Sequence, residues 1–280
     1  MRFPLLIFFS AAWVHAFENH ESKMDAAALQ VDGYFGYPEP AQPLTADFPF
    51  GRAYGYSFFP LMKIGGRDLA GSGEFSLMNR EFRDGAGAVN FSLLQSYGVG
   101  LGYSTVDNEF QNGFIYGLFG INGDMRKLDA RSFYGDWSYM HIFTLSNRLA
   151  LGGGIDVHFY FEEYYPYPLL YVDWRLANHT KVQINFDTGE IKQFLTGRLS
   201  VSLGTQYDIF HYALGDDGGY VQENSTAMAR VEYRAGENVY VRLSVKKPYW
   251  GEETLTPASG TQVIETSEGF SVRVQAAYGM

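Results

Sequence analysis

The chain has 280 residues, no cysteine, 21 Lys+Arg against 31 Asp+Glu, and a formal net charge of −10. These numbers exclude a disulfide framework, a lipidated cysteine and a thiolate metal centre. The acidic balance disfavours nucleic acid as a partner. Aromatic residues make up 17% and glycines number 32.

The first segment is an export signal. Met1 and Arg2 form a short basic region, PLLIFFSAAW is apolar but too short to span a bilayer, and Val14-His15-Ala16 has small residues where a signal peptidase reads them. Cleavage after Ala16 removes Arg2 and no acid, leaving 20 Lys+Arg against 31 Asp+Glu and a mature charge of −11. No later run reaches the ~18–20 consecutive apolar residues of a membrane helix. Residues 17–49 read as a largely irregular periplasmic arm, because GYPEPAQP puts three prolines in six residues. Within it MDAAALQ has room for one or two helical turns.

Residues 50–280 alternate with period two, the signature of strands. Gly51–Met62 and Gly71–Phe82 are two candidates for the first strand. Val89–Tyr103 and Leu149–Phe161 place Gly98, Gly100, Gly102, Gly152 and Gly154 on the polar face, where their lack of a side chain makes room for large neighbours or bends the strand. Phe133–Leu145 fits less cleanly, since Met140 and Ile142 would then face inward. Leu170–Leu176, Lys181–Phe186, Ile191–Thr196 and Arg198–Ala213 follow. The second and third of these fall short of the ~9–11 residues that cross a membrane. Ser225–Ala235, NVYVRLSVKK (Asn238–Lys247) and Gly269–Met280 complete the series.

Connections alternate between tight and long, with Lys247–Ser267 and Leu214–Glu223 the long ones. Tyr and Trp gather near strand ends, in FFP, EEYYPYP and PYW. A soluble sandwich has no reason to sort loops by end, whereas a transmembrane barrel does. The expected fold is an all-β, transmembrane, antiparallel up-and-down β-barrel of about twelve strands, with 10–14 possible. Parity admits only one of the two candidates for the first strand.

The apolar face of such a barrel meets lipid and the polar face encloses the lumen. Asp156, Glu162, Asp173, Arg175, Arg198, Asp208, Arg230, Glu232, Arg234, Arg242, Lys246 and Arg273 are then lumen-facing. They line a narrow pore with an arginine-rich wall, or pair with one another and fill it. His158 shares a face with Asp156 and Tyr160. An outer-membrane lipid hydrolase needs a serine beside a histidine oriented by a third group, and the outward His141 and His211 have no such serine. Gly215-Asp216-Asp217 and Glu252-Glu253 are solvated acidic loops with a faint resemblance to calcium ligands. No cofactor or resident metal is expected.

Two stretches carry a family resemblance. Val274, Ala276, Tyr278 and Met280 resemble the C-terminal assembly signal of bacterial outer-membrane barrels, with Met280 where Phe is usual. YPYPLLYVDWRLANHTKVQINF resembles the Pro-x-x-Tyr-x-x-Trp strand and hairpin of a family of uncharacterised outer-membrane barrels. The resemblance implies a Gram-negative outer-membrane, porin-like location. The expected partners of such a barrel are membrane lipid and lipopolysaccharide and the barrel-assembly machinery during biogenesis, with small solutes if the lumen is a pore. It implies no catalytic residue. A structural or surface role with limited permeation, a narrow selective channel or transporter, and a lipid hydrolase are the three functional readings.

Overall fold

A computed structural model describes residues 25–35, 52–84, 87–108, 110–125, 128–161, 163–185, 187–214, 218–256, 262–265 and 270–279. The strands are β1 (Asp25–Phe35), β2 (Arg52–Ile64), β3 (Arg67–Asp84), β4 (Gly87–Asp107), β5 (Gln111–Gly123), β6 (Phe133–Ser146), β7 (Leu149–Tyr160) and β8 (Glu163–Ala177). They continue as β9 (Thr180–Asn185), β10 (Thr188–Phe194), β11 (Leu199–Leu214), β12 (Gly218–Arg234), β13 (Val239–Thr256), β14 (Gln262–Glu265) and β15 (Phe270–Gly279). One 3-10 turn, Ala130–Ser132, precedes β6, capped by the Asp129 side chain on the Arg131 N–H. Among the described residues no helix is long and apolar enough to cross a membrane.

Each strand from β1 to β13 pairs antiparallel with the next, β13 pairs with β15, and β15 pairs with β1. Fourteen strands therefore form a continuous ring, with β14 a short addition along the far part of β13. An even ring puts both chain ends on one side, here the termini end. The turns there are tight. Between β2 and β3 only Gly65 and Gly66 intervene, at φ +61 and +80, the left-handed pair a two-residue hairpin turn requires. The longer connections, 36–51, 124–132 and 257–269, lie at the opposite, far end.

The barrel class expected from the sequence is observed, at the upper limit of its range in strand number. The reason is specific. Both candidate first strands are used, as β2 and β3, and Asp25–Phe35 of the supposed irregular arm is β1. MDAAALQ is thus part of a strand, and not a helical turn, from Asp25 onward. Its register, Leu29 on Ala276 and Val31 on Val274, seals the ring. The segment read as an export signal, Glu162 and Met280 lie outside the described residues. The long connection expected at Leu214–Glu223 is mostly hairpin, since β11 runs to Leu214 and β12 begins at Gly218. Much of Lys247–Ser267 is likewise strand.

Burial runs opposite to that of a soluble protein. Val99, Phe119 and Leu203 are 70–74% exposed, and Val239, Val241, Leu243 and Val245 are all exposed. In the same strand Ser244 and Lys246 are buried, as are Asp173 of β8 and Lys181 of β9. The belt of apolar side chains exposed over β2–β8, β10–β13 and β15 exceeds any patch a soluble monomer leaves in water. It is the lipid face of a transmembrane barrel. Exposed Trp174, Tyr233 and Tyr278 sit toward the termini end, and Phe133, Tyr164, Tyr249 and Trp250 toward the far end. Rings at both ends of the belt suit the two membrane interfaces.

Candidate functional site: a filled lumen

Eight-stranded barrels are filled by side chains, and sixteen-stranded ones hold an aqueous channel. Fourteen strands lie near the open limit, so this lumen needs more than side chains to fill it. Near the termini end the filling is electrostatic. Lys181 Nζ lies 2.5 Å from Asp173 Oδ2 with both side chains almost fully buried. Glu232 is held by Lys192 Nζ at 2.7 Å and Arg242 Nε at 2.6 Å. Arg230 Nη1 meets Glu190 Oε2 at 3.2 Å. Asp208 takes Lys246 Nζ at 3.1 Å and Arg273 Nη2 at 3.9 Å. Charges removed from water this far persist only when paired.

On the opposite wall the filling is apolar. Met140 and Ile142 do face inward, both fully buried, packed with Phe114, Ala150, Leu169 and Tyr171. β7 makes room for them. A Cβ on Gly152 would strike Ile142, and one on Gly154 would strike the Tyr139 carbonyl and Met140. Gly98 and Gly120 accept the Tyr134 ring in the same way. The role read for the inward glycines is observed.

The far half is closed by backbone. From Tyr207 to Asn224 no residue of the β11–β12 hairpin with a described side chain is exposed on either face. The hairpin has left the wall and folds across the lumen. Its free β11 edge docks on the end of β5: Asp124 N–H donates to the Ala213 carbonyl at 3.1 Å. The Asn122 side chain donates to the His211 carbonyl at 3.0 Å and accepts from Ala213 N–H at 3.3 Å. Tyr212 and Tyr220 pack with Met78 and Leu94, and Phe210 lies 3.6 Å beneath the Arg52 guanidinium. Ser76 Oγ and the Tyr212 hydroxyl are 2.9 Å apart. On the other side His211 stacks on Tyr160, which stacks on Tyr165. His211 was expected to face outward; it is covered, because the strand carrying it has turned inward.

His158 sits between two carboxylates, Nδ1 at 2.7 Å from Asp136 and Nε2 at 2.9 Å from Asp156. Only a ring carrying both protons can donate to both. Ser138 Oγ donates to Asp156, not to the histidine. A nucleophile–base pair needs the serine on a free ring nitrogen, and here both nitrogens face carboxylates.

Of the charged residues expected in the lumen, Asp156, Asp173, Asp208, Arg230, Glu232, Arg242, Lys246 and Arg273 are brought inside, and Arg175 is half-buried beside Lys181 in register. Arg198 and Arg234 are not part of this set. Arg198 is exposed in the turn before β11, and Arg234 bonds the Gly236 and Glu237 carbonyls of the next turn. Arg198 precedes β11 by one residue, where alternation stops predicting a face, whereas Arg234 ends β12 half-buried on the same side as Arg230 and Glu232 and turns its guanidinium to the adjoining turn. Lys181, Glu190, Lys192, Asp136, Glu74 and Arg52 are further interior charges among the described residues. The short β9 and β10 carry three of them, and Lys181 already stood on the polar side of its strand. Among the described residues no group of carboxylates or histidines has a metal-binding arrangement. Gly215–Asp217 lies outside them.

Residues 96–245 match the family described as Domain of unknown function (DUF6268). No curated protein matches the sequence. Among solved structures, the chain is similar to a KdgM porin in complex with disordered oligogalacturonate. That match has TM-score 0.38 and 9% identity over 91% of this chain and 98% of that one. It is also similar to the Pseudomonas putida toluene transporter TodX, with TM-score 0.36 and 8% identity over 89% and 86%.

Proposed function

This chain belongs to the DUF6268 family, and we propose that it is an outer-membrane barrel of limited permeation, closed to bulk solute in the state described. The observation that carries this is the β11–β12 hairpin lying across the far half of the lumen above an ion-paired near half. With the termini in the periplasm, after export and cleavage at Ala16, the far end faces the exterior. Val274, Ala276, Tyr278 and Met280 then serve the assembly machinery, and the exposed belt meets lipid and lipopolysaccharide. The chain acts on no covalent bond in this reading. A lipid hydrolase at His158 is disfavoured because both ring nitrogens are taken by carboxylates.

Planar-bilayer recording tests the proposal. A steady conductance far below that of an open sixteen-stranded porin is expected; a large, continuous ohmic current would overturn it. A narrow channel for small solutes is the second reading, favoured by the excess of Lys and Arg over acids in the near-half network. It expects Arg242→Glu to change ion preference in whatever residual current is seen.

A further inference from the structure

The wall itself is incomplete. β9 and β10 have six and seven residues, about 20 Å of strand, against the ~9–11 residues that cross a bilayer. Their neighbours are far longer. β8 pairs with β9 only from Tyr171 to Ala177, and β11 with β10 only from Ser200 to Gln206. One further bond, Tyr207 N–H to the Asp187 carbonyl at 2.7 Å, ends that seam. Beyond it Tyr164–Leu170 of β8 has β7 on one side and no strand on the other, among the described residues. The β11 edge that would have met it has swung away to β5. A notch opens between β8 and β11 where the short β9 and β10 end, and strands of that length stop short of a bilayer's hydrocarbon span.

The sequence of β8 is fitted to that notch. Arg175 N–H donates to the Arg148 carbonyl, so odd-numbered N–H groups of β8 serve β7. Even-numbered ones face the notch, and there Pro166 and Pro168 stand, both exposed. Proline has no N–H to leave unsatisfied. An unpaired donor in lipid costs several kcal/mol, and two of them are deleted where the ladder stops.

The notch is lined by rings and carboxylates. Tyr165 and Tyr167 come from β8, Tyr207 from β11 and Glu223 from β12, with the buried Tyr160 of β7 behind them. Tyr207 donates to Glu223 at 3.1 Å and Tyr165 to Glu163 at 2.6 Å. Tyr160 and Tyr167 are hydrogen-bonded, and Tyr167 and Glu223 are both within electrostatic reach of Tyr207. Neither Glu163 nor Glu223 meets a Lys or Arg among the described residues. Tyrosine faces and unneutralised carboxylates together hold organic cations.

Resting on the limited-permeation reading, we propose that the notch between β8 and β11 is a lateral portal that takes amphipathic organic cations between the outer leaflet and the lumen mouth. The apolar body enters from lipid past Leu170 and Tyr164, and the cationic head is received by Tyr167, Tyr207 and Glu223. Bulk ions, which the filled lumen excludes, do not share this path.

Because the chain has no cysteine, Tyr167→Cys gives one addressable thiol. The full-length variant is reconstituted in liposomes, and ethidium binding is followed by fluorescence anisotropy before and after a bulky maleimide is added outside. At least a ten-fold weakening on labelling is expected, and a several-fold weakening in Glu223→Gln. The portal is overturned if the maleimide does not reach Cys at 167, or if labelling leaves binding unchanged. It is overturned also if wild-type liposomes bind no more ethidium than protein-free ones. Potassium chloride conductance in the same preparation separates the two readings: a low value unaffected by labelling keeps the filled lumen, whatever ethidium does, and a high value sinks that reading alone.

Discussion

His211 lies flat against Tyr160, their ring centroids 4.0 Å apart and their planes 15° from parallel. The two belong to strands four apart in the ring, so the contact exists only because β11 has left its place in the wall. On its other edge the same segment is held by Asn122, whose amide serves the His211 carbonyl and the Ala213 N–H.

Removing that amide tests the block. Asn122→Ala leaves two backbone groups of β11 without partners, a cost of about 1–3 kcal/mol each borne by the closed hairpin alone. Single-channel recording is expected to show openings at least several-fold more frequent than in the wild type, with unchanged heat-modifiable folding. Identical traces would mean that the hairpin is not what closes the lumen.

The near-half network makes a stability prediction. Lys181→Met removes the 2.5 Å cationic partner of the fully buried Asp173 carboxylate, whose contacts from Tyr171 and Gln183 are long, 3.4 and 3.5 Å. Breaking a buried pair from one side costs about 3–5 kcal/mol. Urea unfolding in lipid vesicles is expected to show that loss, and the double variant Lys181→Met with Asp173→Leu is expected to recover much of it. Equal stability of wild type and Lys181→Met would show the pair to be solvated.

Two neighbouring glycines separate the inner face from the outer. Gly154→Ala drives a methyl into the Tyr139 carbonyl, which is backbone and cannot rotate away, whereas at Gly153 the nearest atom is 3.5 Å off. Overpacking of this kind costs ~1–3 kcal/mol. Folded yield on unheated gels is expected to fall for Gly154→Ala and to hold for Gly153→Ala; the reverse order would place the wrong face inside.

Strand alternation made most of the wall legible, because a side chain's face follows from parity wherever one side is lipid and the other enclosed. It worked for NVYVRLSVKK, whose four apolar residues are all exposed. It undercounted strands at Asp25–Phe35, where three alanines in a row weaken the β signal and the prolines that follow read as irregular chain. Gly65-Gly66, directly between two alternating runs, was the turn signal that both candidate strands are used.

The infolded hairpin was not legible by parity. IFHYAL (Ile209–Leu214) is apolar or aromatic at nearly every position, which is how a strand covered on both faces looks, yet the same run passes for an interfacial girdle. That β9 and β10 are short was visible, but not what it meant. Whether short strands tilt, pair elsewhere or leave a notch depends on where β11 goes, and that is fixed by Asn122 and the end of β5, about ninety residues earlier in the chain.

The most direct measurement is the quenching of a fluorophore on single cysteines at Leu243, Leu203 and Val274, and at Ser244 and Lys246, by brominated acyl chains in reconstituted bilayers. Strong quenching at the first three and little at the last two is expected. Quenching at Ser244 and Lys246, with Leu243 and Leu203 shielded, would turn the barrel inside out and contradict every assignment made from its faces.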